Sequence, residues 1–194
     1  TSFYKRILFP NSGSYKWSSS ETTLPANETK KEFDKKPVLE RFDHQLKISG
    51  LKTFHTLKPD FSWGCSNIDK LISKYNLSDY ILLFPFCSEH LQQKKWPYYD
   101  QLIKLIKQNH PNLKIVIAPG PDEIEKAKKL DAVSILKEDK AISISELAGL
   151  IKKSKFVVAN DTGPAHMAAH LNVKGLSLFG SHTTAHKVSI EREN

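Results

Sequence analysis

Apolar and polar residues follow two different rhythms along this chain, and the change falls near Asp79. From there on, short apolar runs alternate with longer stretches of helical period. Residues 81–86, 114–118, 133–136, 156–159 and 175–179 have the length and β-branched content of buried strands. Between them the spacing predicts helices over 97–110, with Leu102, Ile103 and Ile106 inward, from near Asp122, over 145–153 and over 164–171. Ser143 or Ser145 is placed to cap the third of these, and Pro164 suits the first turn of the last. Strands and helices alternating at these lengths imply an α/β fold with a parallel, doubly wound sheet.

The front of the chain has no such order. Residues 11–37 are rich in Ser, Thr, Asn and Lys, carry Pro25 and Pro37, and show neither period, which predicts a loop. An amphipathic helix is expected over 36–51, with Val38, Leu39, Phe42, Leu46 and Ile48 as its stripe and Gly50 at its end; a short helix follows over 68–75. The opening segment holds Arg6, Pro10 and Asn11 and lacks the layout of a secretory signal. The chain starts at Thr1, so it reads as a processed product or an excerpt of a longer protein.

Composition narrows the function classes. No run reaches the eighteen or so apolar residues of a membrane span. Cys65 and Cys87 match no metal or disulfide spacing, which suits a reducing, cytoplasmic compartment. The formal net charge of +8 invites a nucleic-acid reading, but Arg occurs only at positions 6, 41 and 192, so 26 of the 29 cations are Lys. Those lysines are dispersed among Glu and Asp, and nucleic-acid readers favour Arg for bidentate contacts. A solvated Lys-rich surface accounts for the charge, with an anionic lipid surface as the other acidic partner that would suit it.

Ligands of such sheets bind beyond the carboxyl ends of the strands, so the loops that matter are 87–96, 119–123, 137–144, 160–164 and 180–186. In the segment Phe156-Val-Val-Ala-Asn-Asp-Thr-Gly-Pro-Ala-His166 a strand runs into a small-residue turn and at once into a helix. The amides of Thr162, Gly163 and Ala165 and the helix dipole make an anion site fit for a diphosphate; the other reading is an ordinary capped turn. Asp161 would repel phosphate and is read as a loop cap. His166, in the first helical turn, can donate to a phosphate oxygen. It stands four residues from His170, the spacing of a metal pair, but Met167 occupies the place where the zinc-protease pattern needs Glu, no third ligand is evident, and His170 reads as structural. In the loop after the first strand, Ser88 and Lys94 can meet a phosphate, while Trp96 packs beneath the next helix. After the second strand, Asp122 is read as the helix cap and Glu123 as a hydrogen-bond acceptor for ribose hydroxyls. The Gly-x-Gly-x-x-Gly fingerprint of dehydrogenases is absent. The run Leu178-Phe-Gly-Ser-His-Thr-Thr184 either closes over a ligand or is a plain loop.

Taken in series, Lys-x-Trp-Pro at 94–97, Gly-x-x-Glu at 120–123, Phe-Val-Val-x-x-Asp-Thr-Gly-x-x-His-x-Ala-Ala at 156–169 and Leu-Phe-Gly-x-x-Thr at 178–183 resemble the carboxyl-terminal half of the lipopolysaccharide heptosyltransferases, glycosyltransferase family 9. The resemblance covers residues 80–184 and implies a Rossmann-like nucleotide-sugar domain, one of the two facing domains of the GT-B arrangement. It implies that Lys94, Thr162, Gly163 and His166, with Ser88 beside them, surround the diphosphate of an ADP-sugar. It likewise sets Glu123 on the ribose and Ile142 near the base, and it requires no metal or other cofactor. The implied reaction moves a sugar, heptose by the resemblance, from ADP-heptose to a lipid-linked saccharide acceptor of the lipopolysaccharide core, with peripheral contact at the inner face of the inner membrane. The implied partners include no nucleic acid. Two departures stand out: no acidic base of the acceptor-side domain is found in residues 1–79, and Thr184 and Ala185 replace the usual Pro after Thr183. The chain is therefore expected to comprise a remnant of the acceptor-side domain and linker over 1–78 and the donor-binding domain over 79–194. A non-catalytic remnant that binds a nucleotide sugar or a protein is the alternative.

Overall fold

The computed structural model describes residues 22–192. The opening segment with Arg6, Pro10 and Asn11, and residues 11–21 of the expected loop, lie outside them. The described residues fall into two compact units, divided between Leu57 and Lys58.

In the first unit the expected loop contains one helical turn, α1 (Lys30–Phe33), held by a reciprocal cap between Thr29 and Glu32 and by burial of Phe33. Thr29 and Glu32 stand three apart, the spacing of a capping box, so this turn was open to prediction from local chemistry despite its lack of period. The helix expected next forms as α2 (Val38–Ile48) and ends before Gly50, whose φ is +81°. Its apolar stripe, however, is not covered within the described residues: Phe42, Leu46 and Ile48 are exposed. The buried residue of α2 is Asp43, whose carboxylate meets Lys47 at 2.6 Å.

In the second unit five strands form one wholly parallel sheet: β1 (Tyr80–Phe84), β2 (Lys114–Ile117), β3 (Val133–Ser134), β4 (Phe156–Asn160) and β5 (Gly175–Leu178). Their order is β3-β2-β1-β4-β5, with Leu82 opposite both Val116 and Val157. Both faces are covered at the three inner strands, β2, β1 and β4. Leu82, Phe84, Val116, Val157 and Ala159 pack with residues of α3 (Asp69–Lys74), α6 (Ile144–Lys153) and α7 (Gly163–His170). Ile81, Leu83, Ile115, Ile117 and Val158 face α4 (Tyr99–Asn109) and α5 (Ile124–Ala127). Burial on both sides explains the unbroken apolar runs, since parallel strands between two helical layers have no polar face.

Local chemistry sets the helix ends. Ser143, rather than Ser145, caps α6, with Glu146 closing a reciprocal box, and the Lys137 ammonium reaches the Glu146 carboxylate at 2.7 Å. Residues 58–78, expected to go with the front of the chain, belong by contact to the sheet unit. Ile68, Leu71 and Leu77 enter its core, and the Ser66 amide donates to the Ser145 carbonyl at 2.9 Å. Among the described residues no helix is long and apolar enough to cross a membrane.

Candidate functional site

The strand order reverses direction between β1 and β4, and the crevice beyond their carboxyl ends is where open α/β sheets bind ligands. Two loops meet there. The loop after β1 contains an unforeseen 3-10 stretch, Glu89–Lys94, and the chain after β4 turns through Asp161 and Thr162 into α7.

Asn160 joins these loops. It is fully buried, and its Oδ1 accepts the Trp96 amide at 3.1 Å and lies 3.5 Å from the Tyr99 hydroxyl, which also donates to the Phe84 carbonyl at 3.2 Å. The Trp96 ring packs beneath α4, 5.3 Å between centroids from Tyr99. Lys94 is thereby directed at the β4–α7 turn. Its Nζ donates to the Asp161 carbonyl at 3.1 Å and to Asp161 Oδ2 at 2.7 Å.

Asp161 was expected to cap the turn. Instead α7 has no side-chain cap, and the Asp161 carboxylate, only 2% exposed, serves as the counter-charge of the crevice. Its Oδ2 is shared by Lys94 and by His182 Nε2 at 2.8 Å, while His166 Nε2 stands 3.4 Å from Oδ1. At that separation His166 is an electrostatic neighbour rather than a hydrogen-bond partner, and Oδ1 is left buried and unpaired. Burial works to raise the pKa of this carboxyl, but hydrogen bonds from Lys94 and His182 and the charges of Lys94 and His166 outweigh it and hold it below the ordinary carboxylate range. The reason for the departure is the depth of Asp161: its backbone amide donates to the Leu178 carbonyl at 3.1 Å, so the side chain turns inward to the cations rather than outward along the helix.

Of the three amides expected to be free, that of Ala165 is consumed by the Thr162 carbonyl at 3.0 Å, as the tight first turn of a helix requires. No acceptor among the described residues takes the Thr162 or Gly163 amide, and Gly163 is exposed with open space where a Cβ would stand. The Thr162 hydroxyl is turned back onto the Asn160 carbonyl at 3.2 Å.

Beside this turn lies a cavity of about 490 Å³. Ser88, Glu123, Ile142, Thr162 and Pro164 are among its lining residues, so positions singled out in four different loops come together there, whereas Lys94, Gly163 and His166 are not among the residues that line it. The cap expected of Asp122 is made by Glu123 instead. Glu123 Oε2 accepts the Gly120 amide at 2.8 Å and closes the turn, whereas Asp122 is exposed; three-residue spacing from Gly120 gives Glu123 the reach. Only Glu123 Oε1 remains for a ligand. A smaller cavity, about 170 Å³, lies elsewhere, between α7 and β5.

His170 is buried against the Phe61 ring, 4.9 Å between centroids, with Arg192 Nη2 at 3.1 Å from its Nδ1. Burial, and then the Arg192 and His166 charges, push its pKa down to about 4. Among the described residues no group of three His, Cys, Asp or Glu side chains gathers as metal ligands do. Asn160 and His182 were not singled out beforehand. Asn160 fell just past the apolar run 156–159, in the loop that follows, and His182 sat in a loop of small hydroxyl residues with no pattern to mark it.

Residues 12–192 match the model of glycosyltransferase family 9 (heptosyltransferase). A heptosyltransferase 1 of lipopolysaccharide from Campylobacter coli is 31% identical over 100 residues, 47% of this chain and 29% of that protein. The fold is similar to that of E. coli heptosyltransferase WaaC solved with ADP-2-deoxy-2-fluoro heptose, with a TM-score of 0.54 and 22% identity over 75% of this chain and 45% of that one. It is similar also to a family 9 glycosyl transferase from Veillonella parvula, with a TM-score of 0.60 and 16% identity over 91% of this chain and 50% of that one. The chain thus spans less than a third of that curated relative and about half or less of these solved ones.

Proposed function

Because the chain belongs to glycosyltransferase family 9, the heptosyltransferases, we propose that the sheet unit, residues 58–194, is the donor-binding domain of an enzyme that transfers a sugar, heptose by family, from an ADP-sugar to the lipopolysaccharide core. The observation that carries this reading is the placement, at the switch point of the sheet, of two free amides and Lys94 beside a cavity of about 490 Å³, a size suited to a small ligand. The diphosphate lies over the Thr162 and Gly163 amides at the head of α7, where the dipole favours an anion. Lys94 and His166 flank it, and Ser88 meets it from the mouth. Glu123 Oε1 accepts a ribose hydroxyl, and Ile142 with Leu147 forms the apolar wall for the base.

Such a site acts on the leaving group. As the bond from sugar to diphosphate breaks, negative charge grows on the departing oxygen, and the fixed amides, with the Lys94 ammonium once it has turned to the ligand, stabilise it. Deprotonation of the acceptor hydroxyl falls to a carboxylate of the acceptor-side domain, of which the front unit of the chain is the remnant and linker. The acceptor is lipid-linked, so the enzyme works peripherally at the inner face of the inner membrane.

The test is thermal. Saturating ADP at about a hundredfold excess over Kd stabilises a native site by about 2.7 kcal/mol. ADP is expected to raise Tm of the chain, and the rise measured from each variant's own baseline is expected to vanish in Lys94→Ala and shrink in Glu123→Ala. A chain whose Tm responds to neither ADP nor ADP-heptose does not have this function.

A further inference from the structure

The crevice is built with an electrostatic difficulty. Lys94 and Asp161 cancel one another, so the charge offered to a diphosphate is borne by a lysine already committed. Two of the three ammonium protons of Lys94 are spent on Asp161, one on its carbonyl and one on Oδ2. To engage two phosphate oxygens, Lys94 must give up at least one of these bonds, and a lysine that turns wholly to the ligand gives up Oδ2. The carboxylate cannot then turn to water, because it is buried, and a buried carboxylate without a counter-charge is strongly disfavoured.

A replacement stands beside it. His182 Nε2 is 2.8 Å from the same oxygen, supplied by the loop after β5. Gly180 lets that loop settle where it does: a Cβ there would lie 2.7 Å from the Gln93 carbonyl and 3.2 Å from His182 Nδ1. His182 Nδ1 is buried and has no hydrogen-bond partner among the described residues. A bare lone pair there costs less than a bare N–H, so Nε2 is the nitrogen that carries the hydrogen toward Asp161. Among the described residues the charged and titratable groups at the ring are Asp161 and, across the same carboxylate, Lys94 from the loop after β1 and His166 from α7. On its own loop His186 is turned to Glu191 at 3.7 Å. His166 is the weaker substitute, since it makes no hydrogen bond to Asp161, is twice as exposed as His182, and sits at the positive end of α7.

We propose that His182 is a positioning residue of the donor site: it takes over Asp161 when Lys94 turns to the diphosphate, and it gains one proton in doing so. The proton comes from solvent and goes to Nδ1 of a ring whose Nε2–H already donates to Asp161. Donor binding is therefore linked to proton uptake, and it weakens as pH rises. This rests on the reading of the crevice as a diphosphate site.

Calorimetry of the whole chain with ADP-ribose, a diphosphate diester with no ionisation near neutrality, tests it at pH 7.5 in two buffers of different ionisation enthalpy. The expected uptake is at least about half a proton per ligand in the native chain, histidine being the side chain that changes charge in this range, and none in His182→Gln, whose amide still donates to Asp161. A histidine NMR titration of the native chain, with and without ADP-ribose, is expected to show the His182 ring gaining charge on binding. Binding without proton uptake, or uptake that persists in His182→Gln, overturns the inference while leaving the diphosphate site intact. Absence of any ADP-ribose binding overturns both.

Discussion

Lys94→Met removes an ammonium and keeps the length of the side chain, so it isolates the charge that holds Asp161. Two hydrogen bonds are lost, at 3.1 and 2.7 Å. Breaking a buried pair by removing one partner costs about 3–5 kcal/mol. Two features favour the lower end: the Lys94 side chain is 21% exposed, and His182 stays 2.8 Å from the orphaned oxygen. The expected loss at pH 8 is about 3 kcal/mol, or a fall in Tm of roughly 6–12 °C for a chain of this size. At pH 6 it should shrink to about 1–2 kcal/mol, because a buried Asp161 relieved of Lys94 takes up a proton more readily as pH falls. In the native chain Asp161 contributes nothing to this difference. Its folded pKa lies below the ordinary carboxylate value, so the stability it brings is fully present above that value and is lost only as pH falls through the folded one; pH 6 and pH 8 are both above that window. Urea unfolding followed by far-UV circular dichroism at the two pH values measures the effect. A loss under about 1 kcal/mol at pH 8, or equal losses at both, would refute the claim that Lys94 compensates a buried charge.

Two further consequences concern the frame of the site. His170 keeps a folded pKa of about 4 against an ordinary 6.5, so the unfolded chain takes the proton first; stability is whole above pH 6.5 and declines, on the order of 3 kcal/mol in all, as pH falls toward 4. His170→Leu should flatten the urea midpoint between pH 4.5 and 7, and an unchanged slope would reject burial of His170 as its source. Asn160→Ala leaves the Trp96 amide unsatisfied, at about 1–3 kcal/mol, while the Tyr99 hydroxyl keeps the Phe84 carbonyl. Exchange of the Trp96 amide with deuterium should quicken at least tenfold, and exchange at the native rate would show that Asn160 does not fasten this loop.

The inner strands β1, β2 and β4 were legible because each is an apolar run between turn residues, and burial on both faces leaves no polar alternation to confuse with a helix. Strand ends drifted by a residue or two for a related reason. Pro85 and Phe86 extend the apolar run of β1 without extending its ladder, whereas Asn160 is polar and still belongs to β4. Lys94, Thr162 and His166 could be singled out because each occupies a fixed offset from a strand-to-helix turn. The partnerships could not be. Glu123 and Asp122 are equivalent in sequence, and only the path of the Gly120 turn decides which one closes it. His182 and Asp161 are 21 residues apart on neighbouring strand ends, so their meeting is a product of β4 lying beside β5. The stripe of α2 shows the reverse failure: its period predicts a helix correctly and says nothing about what covers Phe42, Leu46 and Ile48.

The chain's formal charge of +8 is a poor guide to how the crevice would hold an anion. Many of the lysines are spent on surface pairs such as Lys128 with Glu125 and Lys153 with Asp69, which are solvated and screened. At the crevice, Asp161 lies 2.7 Å from Lys94 and withdraws its field from solvent, so the positive potential at the head of α7 comes from amides that have no counter-charge to lose. An open patch of lysines would attract any polyanion. A neutralised lysine beside two fixed amides rewards a ligand that can reach the amides and also displace a carboxylate, and a diphosphate carries enough charge and enough oxygens to do both. Asp161, which first looked like an obstacle to phosphate, is on this argument the element that keeps the crevice from binding anions indiscriminately.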